Sequence, residues 1–395
     1  MSRVVSPRRI VFLLVLLALL AAGCGGGGGD DGDDKRQPVV GQGSDDEEAG
    51  QSLGFPGFAT KNTTRVGGAD PIADAAGVAQ AVYPSTSRDT RPQVVSLVDS
   101  KDWQAAISAA QLMSRPLRAP VLMSDGEDLP DATSSALDEL NPTGAAKAGG
   151  AQVIRVGKTA KVDDTKTTDL EGSDPAELAQ AIDKLHTAAA GQPSRNVIVA
   201  PSSAPEYAMP AAGWAAKEGD PVLWADKDKL PAATKATISA HQRPRIYVLG
   251  PESAISDAVV KELGKLGTTR RITGADPAAS SVAFARFDDG NFGWNAVDPG
   301  HGMVFANQDR PADAAAGAAL SGSGTYGPLL VLTEASSLAA PIQNYLLDVQ
   351  PGYDDDPVRG VYNHGWLMGD EDAISIDVQS RIDALLEIQP VTPAA

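Results

Sequence analysis

The side chains that most often act as nucleophiles, bases or metal ligands are few in this chain of 395 residues. Its four histidines, His186, His241, His301 and His364, are dispersed, and no His-Glu-x-x-His pair occurs. The sequence contains no Gly-x-Ser-x-Gly nucleophile elbow and no Walker A loop. The single cysteine, Cys24, excludes an intramolecular disulfide, a thiolate zinc site and an iron–sulfur cluster. We therefore expect no catalytic residue, no metal site and no cofactor, which leaves open only carboxylates that the fold alone would assemble.

Polar side chains that follow two short apolar runs are better candidates, and they point to binding. Asp99 and Lys101 follow the first run. Asn307, Asp309 and Arg310 follow the second. Both sets lie where a strand would pass into a helix, and the free N–H groups of a helix N-terminus favour anions. Ordinary helix capping by Asp or Ser is the alternative interpretation.

Two loop-like segments near the C-terminus, 287–295 and 351–366, combine aromatic side chains with Asn and Asp. Trp294 lies in the first segment and Trp366 in the second. Aromatic rings on long loops suit stacking on sugar rings, and long loops often carry function. We predict that these two tryptophans contact a polymer, and packing between domains is the equal alternative.

The N-terminus has the pattern of an exported protein. Arginines precede an apolar run in residues 1–23, and this run is short for a membrane span. The segment Leu20-Ala21-Ala22-Gly23-Cys24 resembles a bacterial lipobox, which implies that Cys24 carries the lipid. A plain secretory signal with an incidental cysteine is the alternative. Residues 24–59 are rich in Gly and Asp without apolar periodicity, so we predict a disordered acidic tether.

Charge limits the partners. The formal net charge is −18, and residues 59–395 carry 28 Lys and Arg against 43 Asp and Glu. No dense basic run is present, so we expect no nucleic acid partner. An anionic partner would be repelled by the average field, and would require local basic patches or a bridging divalent cation.

The chain after residue 60 repeats itself three times. Gly-x-Asp-Pro begins at Gly68, Gly172 and Gly274, at spacings of 104 and 102 residues. A second marker follows in phase, as APVLMSD, DPVLWAD and GPLLVLTE. Short apolar runs alternate with helical patterns, which indicates an α/β fold with parallel sheets. The predicted modules are 60–165, 166–268 and 269–395, the last with the two insertions.

These repeats resemble the cell wall-binding repeat 2 modules of Gram-positive surface proteins. The resemblance rests on the segments that begin at Arg65 and Arg271 and end at Asp70 and Asp276, on the Pro-Val-Leu strands, and on the stretch 249–256. It implies three Rossmann-like modules around a pseudo-threefold axis that bind anionic cell-wall polymers. We accordingly take those two arginines and two aspartates as candidate polymer-binding residues.

The sequence as a whole predicts a noncatalytic lipoprotein on the extracytoplasmic face of the cell membrane. Its expected partner is a cell-wall glycopolymer or a polymer linked to peptidoglycan, so that the protein links membrane to wall. A solute-binding lipoprotein is the alternative, although that class normally has two lobes. An enzyme of envelope metabolism is the third interpretation, which the missing catalytic motifs oppose.

Overall fold

The structure is a computed structural model that describes residues 57–391. The predicted signal peptide, Cys24 and most of the predicted tether lie outside this range. The strands are β1 (Gly57–Ala59), β2 (Thr63–Val66), β3 (Val95–Asp99), β4 (Val121–Ser124), β5 (Val153–Val156), β6 (Thr167–Leu170), β7 (Asn196–Pro201), β8 (Val222–Ala225), β9 (Arg245–Leu249), β10 (Thr268–Ile272), β11 (Gly302–Asn307), β12 (Leu329–Leu332), β13 (Gly352–Tyr353), β14 (His364–Met368) and β15 (Gln389–Pro390).

Helices separate most of these strands. They are α1 (Pro71–Val82), α2 (Trp103–Ala109), α3 (Asp131–Leu140), α4 (Pro175–Ala190), α5 (Pro205–Ala208), α6 (Pro210–Glu218), α7 (Ala232–Ala240), α8 (Asp257–Leu263), α9 (Pro277–Arg286), α10 (Asp313–Ser321), α11 (Ala340–Asp348) and α12 (Ile376–Leu386). A 3₁₀ turn over Ala110–Met113 continues α2. Within residues 57–391, none of these helices is long and apolar enough to span a membrane.

Three parallel sheets organise the described chain, which confirms the predicted α/β class. Sheet 1 has the order β4-β3-β5-β6, sheet 2 has the order β8-β7-β9-β10, and sheet 3 has the order β12-β11-β14-β2-β1. All neighbouring pairs in them are parallel except β1 with β2. Their central strands are short and almost wholly buried, as expected for sheets covered on both faces. The pseudo-threefold arrangement stays a prediction.

The sequence pattern did not predict the fourth strand of each sheet. These strands read TTRV, TTDL and TTRRI, with little apolar content. In sheets 1 and 2 this strand follows the other three along the chain, whereas sheet 3 takes β2 from the N-terminal side of the described chain, pairing Thr64 with Trp366. The strand that opens the first predicted module therefore completes the sheet of the third.

Small side chains allow the helices between the sheets to approach closely. Helix α10 (DAAAGAALS) is buried along its entire length and contacts both α1 and α6. A Cβ on Gly317 would lie 2.9 Å from Val304, so the helix rests directly on the sheet there. The Ala-rich composition thus reflects close packing, since larger side chains would separate the helices.

Candidate functional site

The repeated Gly-x-Asp-Pro motif is a helix-starting turn. Asp70, Asp174 and Asp276 each cap the following helix by accepting a hydrogen bond from the backbone N–H three residues later. Proline follows at the first helical position, where its missing N–H costs nothing. A Cβ on Gly68 would lie 2.6 Å from a backbone nitrogen of the next helix. The predicted binding residues Asp70 and Asp276 therefore have a structural role.

The two predicted binding arginines are also engaged with the protein. Arg65 is 4% exposed, and its guanidinium donates to the carbonyls of Gly369, Asp370 and Ile374 at 2.6–2.9 Å. Arg271 donates in the same way to the carbonyl of Gly250, at 2.8 Å. Each guanidinium therefore holds the loop that follows the third strand of its sheet.

Sheet 1 achieves the same contact from a neighbouring strand. Asp169 occupies the position of the clamping arginine, and Arg155 on β5 donates to the carbonyls of Thr159 and Ala160 at 2.8 and 2.9 Å. Arg155 also pairs with Asp169 at 3.0 Å. The sequence analysis singled out Arg65 and Arg271 but missed Arg155, because this arginine lies on the third strand of its sheet and not on the fourth.

These loops border three equivalent spaces, which we call crevices 1, 2 and 3 after their sheets. Each lies at the carboxyl edge of its sheet, where ligands of open α/β folds normally bind. Each begins at a glycine with positive φ, namely Gly157, Gly250 or Gly369, which follows the third strand. The N–H of that glycine donates to the carbonyl of Leu170, Ile272 or Val66, at the end of the fourth strand. The Gly-x-Asp-Pro turn forms the opposite border.

Crevice 3 is occupied by the protein's own charges. Arg310 Nη2 lies 2.6 Å from Asp74 Oδ2, and its Nε lies 2.8 Å from Asp313 Oδ2 without the alignment of a hydrogen bond. Asp74 also accepts from the N–H of Gly68 at 2.7 Å. Both carboxylates have no solvent exposure. The predicted binding residue Arg310 therefore ties α10 to α1.

Burial dominates the electrostatics of this cluster. Desolvation, together with the charge of Asp313 nearby, raises the pKa of Asp74 well above its usual range. Desolvation also raises the pKa of Asp313, and the Arg310 guanidinium opposes this rise. One arginine does not fully compensate two buried carboxylates, so the pair retains a proton at neutral pH.

Crevice 2 has a tyrosine at its start. Tyr207 packs beside Gly250, where an added Cβ would lie 3.1 Å from the tyrosine Cβ. The position equivalent to Asp74 is Ser280, whose hydroxyl accepts from the N–H of Gly274 at 2.9 Å. Burial raises the pKa of the Tyr207 hydroxyl, so it stays protonated at neutral pH.

Crevice 1 is open, with a volume of about 610 Å³. The position equivalent to Asp74 is Leu178, which packs beneath Gly157. The lining is polar and consists of Glu127, Arg155, Gly157, Lys158, Thr159, Asp169, Glu171, Gly172, Ser173 and Glu177. Thr159 is 2% exposed, and its hydroxyl has no hydrogen-bond partner among residues 57–391. This space can receive a ligand that donates and accepts hydrogen bonds.

The first insertion packs against β9 of sheet 2 and against helix α6. Phe292 stacks on Tyr247, with ring centroids 3.7 Å apart, and lies 4.6 Å from Trp214. Trp294 is 6% exposed and meets Trp214 edge to face at 5.4 Å. The structure therefore places the predicted binding residue Trp294 in an aromatic cluster of the core.

The other predicted binding residues lie nearer the surface, apart from Asn307. Asp99 accepts from the N–H groups of Lys101 and Gly126, at 3.1 Å each, and Lys101 forms an exposed pair with Asp125. Asn307 is buried and donates to the carbonyl of Ala373.

Asp309 is exposed, and Trp366 is half-buried on β14. The structure thus leaves the predicted binding residues dispersed. No group of three or more His, Cys, Asp or Glu within the described range could hold a metal ion.

Comparison with known proteins identifies part of the chain. Residues 170–260 match the family model of cell wall binding domain 2 (CWB2). The matched segment includes the Gly172 turn, which forms one border of crevice 1, and all strands of sheet 2 except β10.

Relatives extend the likeness over more of the chain. It is 26% identical over 226 residues to the amidase enhancer of Bacillus subtilis (strain 168), covering 57% of this chain and 30% of that protein. Cwp6 from Clostridium difficile matches with a TM-score of 0.64 and 18% identity, covering 82% of this chain and 48% of that one. Cwp8 from Clostridium difficile matches with a TM-score of 0.63 and 15% identity, covering 83% of this chain and 52% of that one.

The two solved structures show a shared fold at these identities. The chain spans less than a third of the amidase enhancer and about half of each Cwp protein. Together with the cell wall binding domain 2, these matches support a cell-wall-associated role and a location at the cell surface.

Proposed function

We propose that this protein is a noncatalytic envelope protein that binds a cell-wall glycopolymer, and that crevice 1 takes part in this binding. Crevice 1 is the observation that carries the proposal, because ion pairs of Arg310 occupy crevice 3 and Tyr207 packs at the start of crevice 2. It adjoins the cell wall binding domain 2, which begins at residue 170. The amidase enhancer likeness favours an accessory role over catalysis.

The lining of crevice 1 suits sugar hydroxyl groups. Exposed Glu127, Glu171 and Glu177 offer acceptors, while Lys158 offers donors. Thr159 lies in the same lining, and its buried hydroxyl has no hydrogen-bond partner among the described residues. Sugar hydroxyls both donate and accept, so they complement this mixture better than a purely anionic group does.

Electrostatics limits how an anionic polymer enters crevice 1. Arg155 is already paired with Asp169 and bonded to two carbonyls, which leaves Lys158 as the lining cation without an ion pair among the described residues. Three glutamates oppose it. A polymer phosphate or carboxylate at this position therefore requires a bridging divalent cation, which we include in the proposal.

The remaining part of the proposal concerns attachment. Lipid on Cys24 would anchor the protein at the extracytoplasmic face of the membrane, and the tether 24–59 would let the folded part reach the wall. Two or three acyl chains give stable anchoring, whereas one is reversible. A Cys24→Ser variant that remains membrane-bound in cells would contradict this attachment.

Cosedimentation with purified Bacillus subtilis walls tests the binding. The Cys24→Ser chain without residues 1–23 should sediment with intact walls, and removal of the secondary polymers should abolish this. Failure to sediment at any salt or Ca²⁺ concentration would contradict the proposed function.

A charge variant tests the role of crevice 1. Lys158→Glu should weaken wall binding about tenfold, because it removes the unpaired cation of the lining. Lys265→Glu makes the same charge change at an exposed position outside crevice 1 and serves as the control. Equal weakening in both variants would show that net charge, rather than crevice 1, decides the affinity.

A further inference from the structure

A second cleft lies at the opposite, amino edge of sheet 3, between the C-terminal ends of α1 and α10. It consists of two adjoining spaces of about 290 and 360 Å³, which share Val82, Ser323 and Gly324 in their walls. We call it the junction groove. Its volume is in the range of small-molecule sites.

The junction groove differs from the rest of the surface in charge. None of the described residues that form its walls is Asp or Glu, although residues 59–395 carry a net charge of −15. Among these wall residues, Arg118 is the one Lys or Arg. An anion in the groove therefore meets no carboxylate of the walls and is attracted by this arginine.

Arg118 lies at one end of the groove and is held there by its backbone. Its carbonyl accepts from the hydroxyl of Tyr83 at 2.7 Å, and its φ of +52° is unusual for a residue with a side chain. The side chain is exposed, and its guanidinium makes no ion pair or hydrogen bond with any residue in the described range. A guanidinium in this state can bind a carboxylate or phosphate with two parallel hydrogen bonds.

The other end of the groove is aromatic. Trp366 and His364 lie two residues apart on β14 and face the same side of the sheet, with ring centroids 4.7 Å apart. His364 contacts Thr64 Oγ1 through Nε2 at 3.1 Å, and burial lowers the pKa of its imidazole, so this end is uncharged at neutral pH. The half-buried indole offers a flat apolar face with a polar N–H, which suits one face of a sugar ring.

We propose that the junction groove binds a pyranose that carries an anionic group. The sugar ring stacks on Trp366, and Arg118 pairs with the anionic group of this sugar or of the next sugar in the polymer. This inference rests on the proposed function and identifies a second site for the same class of polymer. It also explains how an acidic protein binds an anionic glycan directly, without the bridging cation that crevice 1 requires.

Wall cosedimentation with charge-matched variants tests the charged end. Arg118→Glu should weaken binding to intact walls at least tenfold, and more at low salt than at high salt. Arg88→Glu makes the same change at an exposed position outside the groove and should stay within twofold of the parent protein. Equal weakening by the two variants would overturn the proposal, because it would assign the effect to net charge.

Variants at Trp366 test the aromatic end. Trp366→Leu should weaken binding about tenfold, Trp366→Phe should retain most of it, and Tyr362→Leu, an exposed aromatic change outside the groove, should have no effect. Thermal unfolding identifies any variant that fails to fold. If Trp366→Leu fails to fold, the binding of Trp366→Phe and of Arg118→Glu tests the proposal instead. If all groove variants bind walls as tightly as the wild type, the proposed binding by the junction groove is wrong and the proposed function is unaffected. Absence of wild-type binding would overturn the proposed function and the groove with it.

Discussion

Crevices 1 and 3 occupy the same place in two sheets, yet one is open and the other is closed by ions. In crevice 3, Arg310 lies between Asp74 and Asp313. In crevice 1, Leu178 lies at the position of Asp74, and Asp102 lies at the position of Arg310, where it caps α2.

The difference shows that the backbone frame does not decide which crevice can receive a ligand. Both crevices have the same positive-φ glycine and the same capped turn. A few side chains change the space from a ligand site into a contact between α1 and α10. The following predictions test whether those side chains act as we infer.

The largest effect is expected when the central cation is removed. Arg310→Met should lower the free energy of unfolding by about 3–5 kcal/mol, because two buried carboxylates lose the arginine that lies between them. Arg155→Met in crevice 1 is the comparison and should cost about 1–3 kcal/mol, since Asp169 is half exposed. Urea denaturation measures both. A smaller loss for Arg310→Met than for Arg155→Met would contradict the contrast between the crevices.

The buried carboxylates should make stability depend on pH. Burial raises the pKa of Asp74 and Asp313 above their ordinary value of 3.8, so the folded pair holds more protons than the unfolded chain. This contribution is full below about pH 4 and is lost as the pH rises through the raised pKa values. Asp74→Asn removes one of the two titrating groups.

Urea unfolding between pH 5 and 8 checks this dependence. The wild type should lose about 3–4 kcal/mol relative to Asp74→Asn over this range, because one retained proton is worth about 1.4 kcal/mol per pH unit. Asp174→Asn, at the equivalent exposed cap of α4, is the control and should follow the wild type. A constant difference between wild type and Asp74→Asn across the range would show that the pair binds no extra proton.

The smallest effect is expected when crevice 3 loses all its ions together. The triple variant Asp74→Leu, Arg310→Met, Asp313→Ala should lie within about 1.5 kcal/mol of the wild type, because apolar residues replace the entire buried ion cluster. It should therefore be more stable than Arg310→Met alone. If the triple variant loses as much free energy of unfolding as Arg310→Met does, the arginine acts through packing rather than through charge.

The sequence predicted the apolar part of the fold well. The apolar runs of the second marker, APVLMSD, DPVLWAD and GPLLVLTE, form β4, β8 and β12, because short apolar runs between helical patterns have few other interpretations. The polar fourth strands were missed, since their side chains carry no periodicity that separates them from loops. The pairing of β2 with β14 joins segments about 300 residues apart, and no local pattern encodes such a contact.

The candidate site was predicted less well than the fold. The repeated Gly-x-Asp-Pro and the arginines were correctly singled out as recurring features, but Asp70 and Asp276 are caps and Arg65 and Arg271 hold loops. Residues that recur in every repeat serve the fold that the repeats share, including its turns and loops. A residue that one copy alone would use for binding, as we propose for Lys158 and Arg118, leaves no repeat in the sequence.

The sequence by itself determined the threefold repeat, the alternation of strands and helices, and the turns that start the helices. These follow from residue type and short-range spacing, since capping, proline geometry and apolar periodicity act within a few residues. Only the tertiary structure decided which crevice is open and where an acid-free groove lies. Those outcomes depend on side chains brought together from distant segments, as when Asp74 meets Arg310 or when Trp366 shares a groove with Arg118.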